Sequence, residues 1–248
     1  MVYDKEVNMN KKTIIIIGAT SGIGRALYEN YAADGNLIGI VGRRANLLDE
    51  LRQEYPDTTV TATADVTKQD EIARAIDALR AELKDIDLAV VCSGTGDINT
   101  PLDYAVERPT IDTNVTGWTF VVDTLYNIFE QQGHGHLVAI TSAGGLRGES
   151  MAPAYSASKA YQINYMEAMR KKAYKSGNHI LVTDIRPGLV DTAMAKGERL
   201  FWVMLVEKVA SQIIAAISKQ KSKAYVTKRW HVLAIINKNL PYSIYKKM

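Results

Sequence analysis

Cysteine is almost absent: Cys92 stands alone among 248 residues. No intrachain disulfide can form, and a reducing compartment, the cytoplasm, is expected. No apolar run approaches the roughly 18 residues that would span a bilayer. The stretch Tyr3-Asp4-Lys5-Glu6 is polar and lacks the apolar centre of a signal peptide. Residues 1–11 are expected as a flexible extension, with Met9 an alternative start. An excess of one charge is also missing. The net charge of +3 is spread along most of the chain, which argues against a nucleic-acid partner. Internal repeats, low-complexity tracts and linkers are absent. His134 and His136 have no further ligands at a sensible spacing, so no metal site is expected.

What is present is a large apolar fraction, 47%, enough for one domain over residues 1–248. Short β-branched runs alternate with amphipathic stretches. Thr13–Ile17, Leu37–Val41, Val60–Ala64, Asp87–Cys92, Leu137–Thr141, Ile180–Ile185 and Ala224–Val226 read as strands. Helical periodicity falls on Arg25–Ala33, Lys68–Leu83, Pro109–Gln131 and Val206–Ile217. This alternation predicts an α/β fold, a doubly wound parallel sheet of about seven strands with helices on both faces. From Thr227 onward the balance changes: five Lys/Arg and no acid interleave with Trp230, Val232, Leu233, Ile235, Ile236 and Leu240 until Pro241. Such a basic amphipathic segment can lie on an anionic membrane or pack over the substrate mouth or a subunit interface. Packing is the preferred reading.

Three stretches carry chemistry. The first is Gly18-Ala19-Thr20-Ser21-Gly22-Ile23-Gly24, between a strand and a helix. Glycines let a backbone pass close to a pyrophosphate, and a helix start offers free N–H groups. Gly18, Thr20, Ser21, Gly22, Ile23 and Gly24 are therefore candidate dinucleotide contacts. The second is Gly42-Arg43-Arg44, where the second strand ends. No carboxylate is present for an adenosine 2′-hydroxyl, and two guanidinium groups suit a 2′-phosphate. The expected cofactor is NADP(H) in preference to NAD(H). The third is Tyr155-Ser156-Ala157-Ser158-Lys159. One helical turn separates the phenol from the ammonium, and a nearby cation favours the phenolate. Ser142, at a strand's carboxyl end, can donate to a substrate oxygen or close a local turn. Asn114 sits inside a helix that it does not favour. Asp65 or Thr67 is expected to cap the helix from Lys68 to Leu83.

Taken in order, the glycine turn, Asp65, Asn114, Ser142, Tyr155, Lys159 and Pro187-Gly188 resemble the classical short-chain dehydrogenases/reductases (SDR), over roughly Lys12 to Tyr225. Two departures are visible. Ile17 stands where the family usually has Thr, and Val91-Cys92-Ser93-Gly94 replaces its Asn-Asn-Ala-Gly. The resemblance implies a Rossmann fold and hydride exchange between a nicotinamide and a carbonyl or secondary alcohol. It implies that Asn114, Ser142, Tyr155 and Lys159 are catalytic, with Asn114 holding a water in a proton relay to Lys159. It implies cofactor contacts from Arg43, Asp65, Val66, Ser93, Gly94, Tyr155, Lys159, Pro187, Gly188, Val190 and Thr192, and a lid from Ala193 to Leu205. Leu146, Met151, Met194, Phe201, Trp202 and Met204 suggest an apolar substrate. A homodimer or homotetramer is expected. An epimerase or dehydratase on the same scaffold, or a dinucleotide-sensing protein without catalysis, are the rival readings. Cys92 reads as a small core residue.

Overall fold

A computed structural model describes residues 11–194 and 202–247. The first half alternates β1 (Thr13–Ile17), α1 (Gly22–Ala33), β2 (Leu37–Gly42), α2 (Ala45–Glu54), β3 (Thr59–Thr63), α3 (Gln69–Leu83) and β4 (Leu88–Val91). Then α4 (Tyr104–Ile111) runs through a π-helical turn (Asp112–Gly117) into α5 (Trp118–Gln132) and β5 (His134–Ile140). A 3₁₀ turn (Ala143–Leu146) leads to α6 (Pro153–Ser176), β6 (His179–Pro187), α7 (Val206–Ser218) and β7 (Lys223–Val226). The chain closes with α8 (Lys228–Asn239) and a single turn, α9 (Tyr242–Tyr245).

The seven strands are all parallel, in the order β3-β2-β1-β4-β5-β6-β7. Strand β1 shows why its apolar run is unbroken. Ile15 and Ile17 pack with residues of α3, α5 and α6 on one face of the sheet. Ile14 and Ile16 pack with residues of α1, α2 and α7 on the other. Each such burial is worth roughly 1.5–3 kcal/mol, and only a strand covered twice can use both sets. Chain order reverses between β1 and β4, so a crevice opens at their carboxyl ends, where such sheets bind ligands.

Several boundaries depart from the periodicity. The long helix begins at Tyr104, ahead of Pro109, and widens to a π turn around Asn114. His134 and His136 lie within β5; His136 Nε2 is 2.7 Å from Thr183 Oγ1, and burial pushes its imidazole down to about 4. Strand β6 continues through Arg186, whose buried charge is matched by Asp184, with Nη2 2.6 Å from Oδ2. Thr141 donates to the other Asp184 oxygen at 2.6 Å, tying the exits of β5 and β6 together. Neither Asp65 nor Thr67 caps α3. Lys68 holds that position, because Asp65 Oδ1 turns back to accept from the Thr67 N–H and hydroxyl at 2.9 Å each. The proposed extension lies outside the described residues except for Lys11.

Candidate active site

The glycine turn is forced by close approach. Gly18 has φ +89°, and a β-carbon there would sit 2.8 Å from the Ser93 nitrogen. At Gly24 it would lie 2.1 Å from the Gly18 carbonyl oxygen. The turn therefore lies flat against the end of β4. Gly22, Ile23 and Gly24 form the first turn of α1, and Ser21 makes no side-chain cap, so their N–H groups are left for a ligand. Arg44 braces this turn from outside, donating from Nη2 to Thr20 Oγ1 at 2.7 Å and Ser21 Oγ at 2.9 Å. Arg43 extends into solvent and comes within 3.6 Å of Asp65. Burial raises the Asp65 carboxyl, but the two Thr67 bonds and Arg43 outweigh it and hold the group below the ordinary carboxylate value. Val66 is buried, and its carbonyl lies so near Gly117 that a β-carbon there would be 2.3 Å away.

At the end of β4, the Ser93 hydroxyl is buried and has no hydrogen-bond partner among the described residues. A β-carbon at Gly94 would lie 3.5 Å from Lys159 Nζ. An orphaned hydroxyl, a glycine beside an amine and a flat glycine turn together fit a dinucleotide lying across the strand ends. Cys92 packs against the core, and burial pushes its thiol up to about 12 despite nearby Lys159.

The catalytic candidates meet in the same crevice. Ser142 leaves β5 and accepts from the Gly144 N–H at 3.0 Å, which leaves its own proton free to donate. Tyr155 sits in the first turn of α6 between two glycines. A β-carbon at Gly96 would be 2.4 Å from its ring, and one at Gly144 would be 3.6 Å away. Burial raises the Tyr155 phenol above its ordinary value, and a hydrogen bond with Ser142 pulls it back. Lys159 is 4% exposed. Its Nζ lies 5.9 Å from the Tyr155 ring centroid and donates to the Ile140 carbonyl at 3.2 Å and Gln162 Oε1 at 2.9 Å. Burial lowers this amine to about 8, with Asp184 and Cys92 acting in the opposite direction. Ser142 is the group whose hydrogen bond draws the phenol down, with Lys159 one helical turn further along α6.

Asn114 is fully buried on the π turn. Its side chain brackets Thr95, accepting from the Thr95 N–H at 2.8 Å and donating to the Thr95 carbonyl at 2.7 Å. The wider turn aims the amide inward, as π bulges at functional sites commonly do.

Pro187 ends β6, and Gly188, Val190 and Thr192 follow it at the carboxyl edge of the sheet. The Thr192 methyl would lie 3.2 Å from a β-carbon at Gly22, and Val190 is buried and bridged to Met204. Gly188 is covered by Trp230: a β-carbon there would fall 2.0 Å from the indole. Arg147 donates to the Lys238 and Leu240 carbonyls at 3.1 and 3.2 Å and stacks on Tyr245 at 4.3 Å. Tyr245 also donates to the Gly148 carbonyl. The C-terminal segment thus touches Gly188 and the stretch Arg147-Gly148, while Val232, Ile235 and Ile236 on α8 stay exposed. Met151, Met194 and Trp202 are exposed as well. Phe201 and most of the expected lid, residues 195–201, lie outside the described residues.

Glu107 and Gln162 were not among the sequence candidates. Glu107 accepts from the Ala154 N–H at 2.8 Å and from Asn99 Nδ2 at 2.5 Å, so it caps α6 from another element. The signal was local: Ala152 precedes Pro153 and cannot cap α6 itself. For Gln162 the sequence held none beyond a polar residue one turn after Lys159.

Comparison with known proteins places this arrangement. Residues 12–201 match the family described as short chain dehydrogenase, and the chain belongs to that family. An uncharacterized oxidoreductase of Myxococcus xanthus is 36% identical over 191 residues, 75% of each chain. One from Mycobacterium tuberculosis is 29% identical over 228 residues, 88% of this chain and 89% of that one. Among solved structures, a short-chain dehydrogenase from Streptomyces avermitilis superposes with a TM-score of 0.82 at 23% identity, covering 96% of this chain and 95% of that one. A serine dehydrogenase complexed with NADP+ gives 0.79 at 24% identity, covering 86% and 94%. The protein is an oxidoreductase with the Rossmann fold of this family.

Proposed function

We propose that the protein interconverts a carbonyl and a secondary alcohol on an apolar small molecule, using NADP(H). The observation that carries this reading is the meeting of Ser142, Tyr155 and Lys159 with the glycine turn and Ser93-Gly94 at one sheet edge. When bound, the nicotinamide supplies or accepts the hydride. In the reducing direction the Tyr155 hydroxyl gives its proton to the substrate oxygen. The Ser142 hydroxyl, anchored by Gly144, donates to the same oxygen and stabilises charge developing on it. The Lys159 ammonium, beside Gly94, would hold the nicotinamide ribose hydroxyls. Asn114 holds the Thr95 loop over the crevice.

Two features support NADP(H) over NAD(H). Arg43 and Arg44 flank the glycine turn. Strand β2 ends at Gly42, where any β-carbon would press the Thr20 methyl at 2.7 Å. An acid there would displace Thr20. The exposed Met151, Met194 and Trp202 support an apolar substrate. The NADP+ complex of the serine dehydrogenase is consistent with this choice. Cys92 as the sole thiol supports a cytoplasmic location.

The test is cofactor oxidation with a panel of apolar ketones, NADPH and NADH in parallel. Faster turnover with NADPH is expected, and equal or faster use of NADH would overturn the preference. Isomerisation or dehydration without net oxidation would point to the epimerase or dehydratase reading. Binding without any turnover would point to a sensor. The expected homodimer or homotetramer is tested by sedimentation over a range of concentrations. Pelleting with anionic vesicles would instead assign the exposed α8 stripe of Val232, Ile235 and Ile236 to a membrane surface.

A further inference from the structure

Gln162 is fully buried on α6, one turn beyond Lys159, and both ends of its amide are used. Oε1 accepts from Lys159 Nζ at 2.9 Å, and Nε2 donates to the Asn114 main-chain carbonyl at 2.9 Å. We propose that Gln162 is a positioning residue: its carboxamide bridges Lys159 directly to the π turn, holding the amine charged and aimed at the crevice. The proposal rests on the catalytic reading of Lys159 above.

The geometry argues for this in three ways. A buried ammonium needs acceptors, and among the described residues its hydrogen-bond acceptors are Ile140 and Gln162. Gln162 is itself held from its far end, so its oxygen has no freedom to swing away. The bridge also lands on the residue to which the family resemblance assigns a water-linked relay. A carboxamide neither takes up nor releases a proton at neutral pH, so this link orients the lysine without carrying its proton.

The charge balance around the amine makes the contact consequential. Tyr155 faces it from its own helix, Cys92 from the end of β4 and Asp184 from β6, where Arg186 already pairs with Asp184. None of these makes a hydrogen bond to Nζ. Burial already favours the neutral amine. Removing the glutamine oxygen tips the balance further.

The experiment is a pH titration of the Lys159 ¹³Cε resonance in full-length protein without cofactor, the signal being assigned by its loss in Lys159→Met. Gln162→Leu should lower the midpoint by about one to two pH units, the effect of losing one hydrogen bond to a buried charge. Gln162→Glu, which keeps the acceptor, should hold the midpoint at or above wild type. Circular dichroism checks that each variant is folded. An unmoved midpoint in folded Gln162→Leu, or equal falls in both variants, would overturn the proposal. If carbonyl turnover were never found, the titration would still report on the bridge. If turnover were intact and the midpoint unmoved, the bridge alone would fail.

Discussion

Replacing Lys159 by Met should change how stability depends on pH. In the fold the amine titrates near 8 because burial penalises its charge; in the unfolded chain its value is about 10.5. Between these values the unfolded state binds a proton that the folded state does not, so wild-type stability rises with pH. Lys159→Met lacks this contribution. Each pH unit is worth about 1.4 kcal/mol, so across the window the variant loses roughly 3 kcal/mol relative to wild type. Below pH 8 the burial penalty is fully present in wild type, and the variant stands at its best. The absolute difference there is offset by the unpaired Gln162 oxygen and Ile140 carbonyl, each costing about 1–3 kcal/mol. The slope is therefore the quantity to measure. Urea unfolding of both proteins at pH 7, 8, 9 and 10 gives it directly. A difference that stays constant over this range would refute the claim that burial lowers the titration of the amine at this position.

Other perturbations have equally defined outcomes. Gly24→Ala places a β-carbon 2.1 Å from the Gly18 oxygen, so dinucleotide affinity by fluorescence titration should fall at least about tenfold; unaltered binding would mean the turn does not hold the pyrophosphate. Arg43→Ala should weaken NADPH binding by about tenfold or more and leave NADH unchanged, since only one carries the 2′-phosphate. Glu107→Ala removes the acceptor for the Ala154 N–H and Asn99 and should cost roughly 1–3 kcal/mol in urea unfolding. A loss too small to measure would show that the start of α6 needs no outside cap.

Much of this was legible because it is written in local pattern. Ile14 to Ile17 is apolar on both faces and too short for a helix, which identifies a central parallel strand. Glycines between that strand and a helix mark a close backbone approach, and Tyr155 and Lys159 share a helix face by spacing alone. What escaped is tertiary. Gln162 reaches Asn114 across 48 residues and Glu107 caps Ala154 across 47, and neither contact leaves a periodic trace. The π turn was hidden because its residues keep helical spacing up to one extra residue. The cap reading of Asp65 failed because a nearer pair of donors on Thr67 took its oxygen. Nothing in the apolar residues of the C-terminal segment showed that Trp230 would cover Gly188.

The most direct test is Tyr155→Phe, which removes one hydroxyl and leaves the ring between Gly96 and Gly144. The account predicts that carbonyl reduction slows by about 10²-fold or more while NADPH affinity changes less than about threefold. Turnover at the wild-type rate in that variant would contradict it.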